Sequence, residues 1–206
     1  MIFLRYESFG KYLRMFPVTA AIIAINVLVY FADHTFLNGQ LMEFGYFYSD
    51  KYDNYFSLDE PWRYVTAVFL HLNLQHIFYN MFSILIFAPP LERMLGHIKY
   101  TVFYLLCGIF GNLLSAIVDT STAGAGASGA IYGVFGAYLF LALMKRSLDI
   151  NSRKTVYTIL VFGILYTFII PNIGIWAHFG GLLAGFVLGY ANDYFLGSKS
   201  NSGYRR

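Results

Sequence analysis

Apolar residues run along this chain in six long stretches, separated by short segments where Gly, Pro, Asn, Asp and basic residues gather. The stretches cover approximately Phe16 to Phe31, Tyr64 to Ala88, Tyr100 to Val118, Ser128 to Met144, Val156 to Ile170 and Ile175 to Phe195. Their lengths are close to the roughly 17 to 25 residues that a helix needs to cross a hydrocarbon core of about 30 Å. Almost none shows the charged face that a helix on a soluble protein turns to water. The pattern therefore predicts an all-α membrane protein of six transmembrane helices. It reads as a single domain over 1–206, with one long connection over 33–61 and no room for a separate soluble domain.

Composition strengthens this reading. Hydrophobic residues make up 58% of the chain and charged residues 12%, against about 25% charged in an average soluble domain. Charge placement adds an orientation. Arg5, Lys11 and Arg14 precede the first stretch, Arg93 and Lys99 lie between the second and third, and Lys145, Arg146, Arg153 and Lys154 lie between the fourth and fifth. Lys199, Arg205 and Arg206 follow the last. The alternate connections hold Lys51 and Arg63 beside Asp33, Glu43, Asp50, Asp53, Asp59 and Glu60. By the positive-inside rule both termini are cytoplasmic and the 33–61 loop is outside. The formal charge of +3 thus reports orientation in a lipid bilayer; there is no basic recognition module, and no nucleic-acid partner is expected. No small-residue cleavage site follows the first stretch, which reads as a retained helix. The aromatics of the outer loop, among them Phe44, Tyr46, Tyr52 and Tyr55, suit a headgroup layer. Cys107 is the lone cysteine and reads as a buried structural thiol.

Polar residues inside the stretches are few, and each is costly in lipid unless it lines a site. The second holds His71, Asn73, Gln75, His76 and Asn80; the fourth opens on Ser128, with Tyr132 one turn later; the sixth holds His178. Counting back at 1.5 Å per residue from Met144 puts Ser128 about 24 Å from the inner side, several ångströms below the outer surface. His178 falls at a similar depth, and stretches two, four and six run the same way, so His76, Ser128 and His178 share one outer layer. Gly129, Gly133 and Gly136 line the fourth stretch, and Gly181, Gly185 and Gly189 the sixth, at spacings that let two helix backbones approach closely. A serine hydroxyl is a poor nucleophile until an imidazole takes its proton; here a serine and a histidine head the two glycine-lined helices.

These residues resemble the rhomboid intramembrane serine proteases. The likeness rests on GASG (Gly126 to Gly129) with Tyr132, AHFGGLLAG (Ala177 to Gly185), HLNLQHIFYN (His71 to Asn80) and Trp62-Arg63, and it extends over all six stretches in order. It implies the six-helix rhomboid bundle and a Ser128-His178 dyad without a third, acidic partner. The activity it implies is hydrolysis of peptide bonds in or near the transmembrane helices of other proteins. Tyr132 matches the ring that packs on the catalytic imidazole; His76 and Asn80, with the Ser128 amide in the loop containing Gly126, match the groups around the oxyanion. Gly129, Gly133, Gly181 and Gly185 would pack the two catalytic helices. His71 matches a position that supports the second helix. No metal or other cofactor is implied, and the setting is a bacterial inner (plasma) membrane with the site towards the outer face. One departure is Glu92-Arg93-Met94, where the family often has Glu-x-Arg; this bears on the bonding of the loop after the second helix. A bis-histidine haem or metal site would not need GASG and lacks a completing thiolate or carboxylate. A channel, a transporter or an inactive relative that only binds membrane clients would not need both Ser128 and His178.

Overall fold

The computed structural model describes residues 1–119, 121–145, 148–169 and 174–200, with the backbone alone described at 145 and over 192–200. The chain is mostly helical: α1 (Phe9–Met15), α2 (Pro17–Thr35), α3 (Gln40–Gly45), α4 (Arg63–Thr66), α5 (Leu74–Leu95), α6 (His97–Val118), α7 (Ser128–Phe140), α8 (Ile150–Ile169) and α9 (Ile175–Ser200). By length and apolarity α2 and α6 could each cross a membrane; Ser128–Met144 and Ile175–Ala191 are shorter apolar helices.

α7 is the centre of the molecule. Every residue from Gly129 to Tyr138 is buried, so the helix is apolar on all sides and surrounded, as a helix without a polar face must be. It packs chiefly on α9 and α6, which also pack on each other. At its C-terminal end Leu141–Lys145 continues as a π-helical turn, so the expected stretch to Met144 is one helix with a change of winding.

Three expectations need correction. The second stretch is not one helix from Tyr64. After α4 and a 3₁₀ turn at Ala67–Phe69, the chain is extended at Leu70 and restarts at Leu74, where the Asn73 side chain accepts the His76 amide at 2.8 Å. This is the capping bond that Asn makes when a helix begins. The same helix then runs seven residues beyond Ala88 to Leu95 with Pro89 and Pro90 inside it. Proline has no N–H for the carbonyl four residues earlier, which orphans those of Leu85 and Ile86. The Arg5 guanidinium donates to both. The third correction is to the all-α expectation: β1 (Phe47–Asp50) pairs antiparallel with β2 (Ser121–Gly124), Phe47 opposite Gly124 and Asp50 opposite Ser121.

That ribbon anchors the 33–61 connection, which is ordered. Arg63 is its hub: its guanidinium donates to Glu60 at 2.5 Å and to the carbonyls of Glu43 and Tyr46 at 2.9 Å each, and lies over the Tyr46 ring. Trp62 stacks on Phe44 and donates to its carbonyl. Asp33 caps α3 by accepting the Leu41 and Met42 amides. On the opposite side Glu92, fully buried, accepts the Val18 and Thr19 amides, the Thr19 hydroxyl and the His97 ring. Its carboxylate caps the positive end of α2, which defines the bonding of Glu92 in the departing Glu-Arg-Met segment; Arg93 is exposed.

Candidate active site

Close helix contact, created by glycines, builds the site. A Cβ on Gly181 would overlap the Gly129 carbonyl, and one on Gly185 the Gly133 carbonyl. Gly133 in turn lies under the buried Cys107 side chain, and a Cβ on Gly111 would reach the Ala177 carbonyl at 2.7 Å. α7 and α9 therefore touch backbone to backbone, as small residues at such spacing permit. Gly129 and Ala177 face one another across this seam; a Cβ on Gly129 would sit 3.4 Å from the Ala177 oxygen. Ser128 and His178 are the chain neighbours of these two residues, so the contact brings the heads of the two helices together.

His178 lies in the first turn of α9 and is buried. Its ring stacks on Tyr132, with centroids 4.1 Å apart and planes 11° apart. Its Nδ1 is 2.8 Å from the Thr167 hydroxyl on α8, which also meets the Tyr132 hydroxyl at 2.9 Å and donates to the Gly163 carbonyl at 2.9 Å. Among the described residues its Nε2 has no hydrogen-bond partner, Nδ1 making the one side-chain bond of the ring. Ser128 is half-buried at the start of α7, where Ala127 offers no side-chain cap to the first-turn amides. The Ser128 hydroxyl and the His178 imidazole are not hydrogen-bonded to each other; catalytic hydrogen bonds are often long before substrate binds.

Opposite the α7 loop stand His76 and Asn80. Gly126 has φ +137°, and its amide donates to the Ala67 carbonyl at 2.8 Å. A Cβ there would lie 2.7 Å from His76 Nε2 and 3.8 Å from Asn80 Nδ2, so glycine is needed both for the backbone angle and for the approach. Asn80 Nδ2 is buried with no partner, as are both ring nitrogens of His71, whose ring meets His76 edge-on at 4.9 Å. Buried polar atoms are normally satisfied, and this cluster is a preformed polar wall without an acceptor. Among the described residues no group of three or more His, Cys, Asp or Glu side chains is placed to hold a metal ion.

Comparison with known proteins bears on this arrangement directly. A family model described as "Rhomboid domain" matches residues 58–193. The chain belongs to the rhomboid family. Over 194 residues, 92% of this chain and 95% of the relative, it is 34% identical to a Bacillus subtilis protein named "Putative rhomboid protease YdcA". It is 31% identical to the B. subtilis "Rhomboid protease GluP" over 82% of this chain and 33% of that protein. With the Arabidopsis thaliana "RHOMBOID-like protein 6, mitochondrial" the identity is 36% over 64% of the chain and 44% of the relative. This rhomboid is thus an integral membrane protein of the serine intramembrane protease class, as its sequence led one to expect.

Within this rhomboid, one group beside the imidazole escapes sequence reading. Thr167 precedes His178 by eleven residues across an inter-helix connection, and no fixed spacing links the two. Gly163 shares its obscurity: a Cβ there would press on the Tyr132 hydroxyl at 2.9 Å, so its smallness lets α8 reach the site.

Proposed function

We propose that this rhomboid cleaves peptide bonds in or near the transmembrane helices of membrane-protein substrates, with Ser128 as nucleophile and His178 as base. The observation that carries the proposal is the His178 ring, clamped by stacking on Tyr132 and held at Nδ1 by Thr167, while its free nitrogen lies at the head of the helix packed on that of Ser128. Nε2 takes the Ser128 proton as Oγ attacks the substrate carbonyl. The resulting oxyanion meets the Asn80 amide group, the His76 ring and the Ser128 backbone N–H, donors fixed before charge develops. His178 returns the proton to the leaving amine, and water then hydrolyses the acyl-enzyme by the same steps. Burial of these polar groups requires a cavity open to the outer side for that water.

The proposed setting is one rhomboid domain over 1–206 with six spans carried by α2, α5, α6, α7 with its π turn, α8 and α9. Both termini are cytoplasmic in a bacterial plasma membrane, and Ser128 lies towards the outer face. The test is cleavage of a model transmembrane substrate together with labelling by a fluorophosphonate serine probe. Ser128→Ala is expected to lose both, and His178→Ala to lose cleavage. Cleavage by Ser128→Ala at the wild-type rate would overturn the assignment.

A further inference from the structure

We propose that Thr167 is the positioning residue for His178, fixing by hydrogen-bond polarity the tautomer that leaves Nε2 free to act as base. The proposal rests on the Ser128-His178 reading and adds to it the group that fills the place of a missing acid.

A hydroxyl has one hydrogen to donate and two lone pairs with which to accept. The Gly163 carbonyl can only accept, so the bond at 2.9 Å consumes the single Thr167 hydrogen. This bond back to the carbonyl four residues earlier is common for Thr in helices; its consequence here is that Thr167 Oγ1 can only accept from its other two neighbours. The Tyr132 hydroxyl at 2.9 Å must then donate to it, and so must His178 Nδ1 at 2.8 Å. All three capacities of Thr167 are filled in one consistent set. The proton of the neutral imidazole therefore resides on Nδ1, and Nε2 carries the lone pair. Which ring nitrogen is protonated is generally set by the bond that the other makes, and the void bounded by Tyr132, Ile164, Thr167, His178, Phe179 and Leu182 has no room for a water to substitute.

In the Ser-His-Asp template a buried carboxylate does this work, and a change that imposes the wrong tautomer costs about 10⁴ in rate. A neutral hydroxyl orients the ring without a full charge, so the effect of losing it is smaller. Thr167→Val keeps shape while removing the acceptor; it leaves Nδ1–H buried and unpaired and favours moving the proton to Nε2, where it blocks the base. An unsatisfied buried donor of this kind corresponds to a loss of about tenfold to a hundredfold.

Thr167→Val, Thr167→Ser and the wild type are compared by kcat and KM on one transmembrane substrate, and by ¹⁵N chemical shifts of the His178 ring nitrogens in full-length protein in detergent. The expected result is a fall in kcat of about ten- to a hundredfold with KM little changed for the Val variant, recovery of most of kcat in the Ser variant, and a ¹⁵N pattern that changes from Nδ1–H to Nε2–H only with Val. Wild-type kcat in Thr167→Val, or an Nε2–H tautomer in the wild type, would overturn the proposal. If the Val variant does not fold, the wild-type tautomer alone decides it. Activity remaining in Ser128→Ala would instead bring down the dyad reading itself.

Discussion

Gly185→Ala adds a single methyl group two turns along α9 from His178, far from any reacting atom. Built on the backbone, that methyl carbon lies 2.5 Å from the Gly133 carbonyl carbon and 2.7 Å from its Cα, closer still to the oxygen. Carbon atoms rest about 3.5 to 4.0 Å apart, so α7 and α9 must part by about 1 Å, and the obstacle is main chain with no rotamer to yield. Overpacking of this kind costs about 1 to 3 kcal/mol in stability. A displacement of about 1 Å between nucleophile and base costs on the order of a hundredfold in rate. The expected outcome is a folded protein with kcat lowered about a hundredfold and weakened fluorophosphonate labelling. Gly185→Val is worse. Gly189→Ala is the control, because its added carbon would meet the Phe140 ring edge at 3.3 Å and Ala137 Cα at 3.5 Å, and it is expected to stay near the wild-type rate. The assay is cleavage of one transmembrane substrate by equal amounts of folded enzyme in proteoliposomes. A Gly185→Ala rate within twofold of wild type would refute the coupling of this seam to the chemistry.

Removing one preorganised oxyanion donor costs about 2.7 to 4 kcal/mol of transition-state stabilisation, so His76→Ala and Asn80→Ala are each expected to slow turnover while Ser128 labelling survives in part; wild-type turnover in both would remove α5 from the site. In a Cys107→Ala background, a cysteine at the exposed Asp53 is expected to react with an impermeant thiol reagent in intact cells and one at the exposed Asn151 to be protected, with the reverse pattern overturning the orientation. Asp149 begins α8 by accepting the Ser152 hydroxyl and amide, which hold its carboxyl down to about 2. Because the folded value lies below the unfolded one, its contribution is present above about pH 4 and is lost as the pH falls towards 2. Thermal unfolding of Asp149→Ala against wild type is therefore expected to differ at pH 7 and to converge near pH 2; an equal gap at both would disprove the cap.

What the sequence made legible follows from what helical spacing can carry. Ser128 and Tyr132 are one turn apart, and Gly181 and Gly185 fall on the His178 face, so the grouping of ring, imidazole and glycine seam needed only that two helices pack. The pairing of Phe47 with Gly124 had no such signal, since four residues of Ser-Thr-Ala-Gly bond across more than seventy positions and earn their strand only from the partner. The break before α5 was hidden because Leu70, His71 and Leu72 keep the apolar run going; Asn73, three residues ahead of the amide it caps, was the available sign. Glu92 was legible as an acid but not as a cap, because its ligands are amides at the far end of another helix. Thr167 is similar: a threonine in an apolar stretch ordinarily bonds its own helix, and only the fold shows that the same oxygen serves two more groups.

The proline pair in α5 makes that helix a composite object. Its internal ladder lacks two rungs, and the missing donors come from a guanidinium 80 and 81 positions upstream of the two carbonyls. By itself α5 is therefore an unfinished helix, and the segment around Arg5 is the piece that completes it. Phe3, seated against Phe87 and Tyr138, and the Ile2 amide on Ser152 fasten the same segment to three helices at once. The first few residues thus act as a keystone between α5, α7 and α8, and a tag or trimming that displaces Arg5 takes from Leu85 and Ile86 the donor that their carbonyls share.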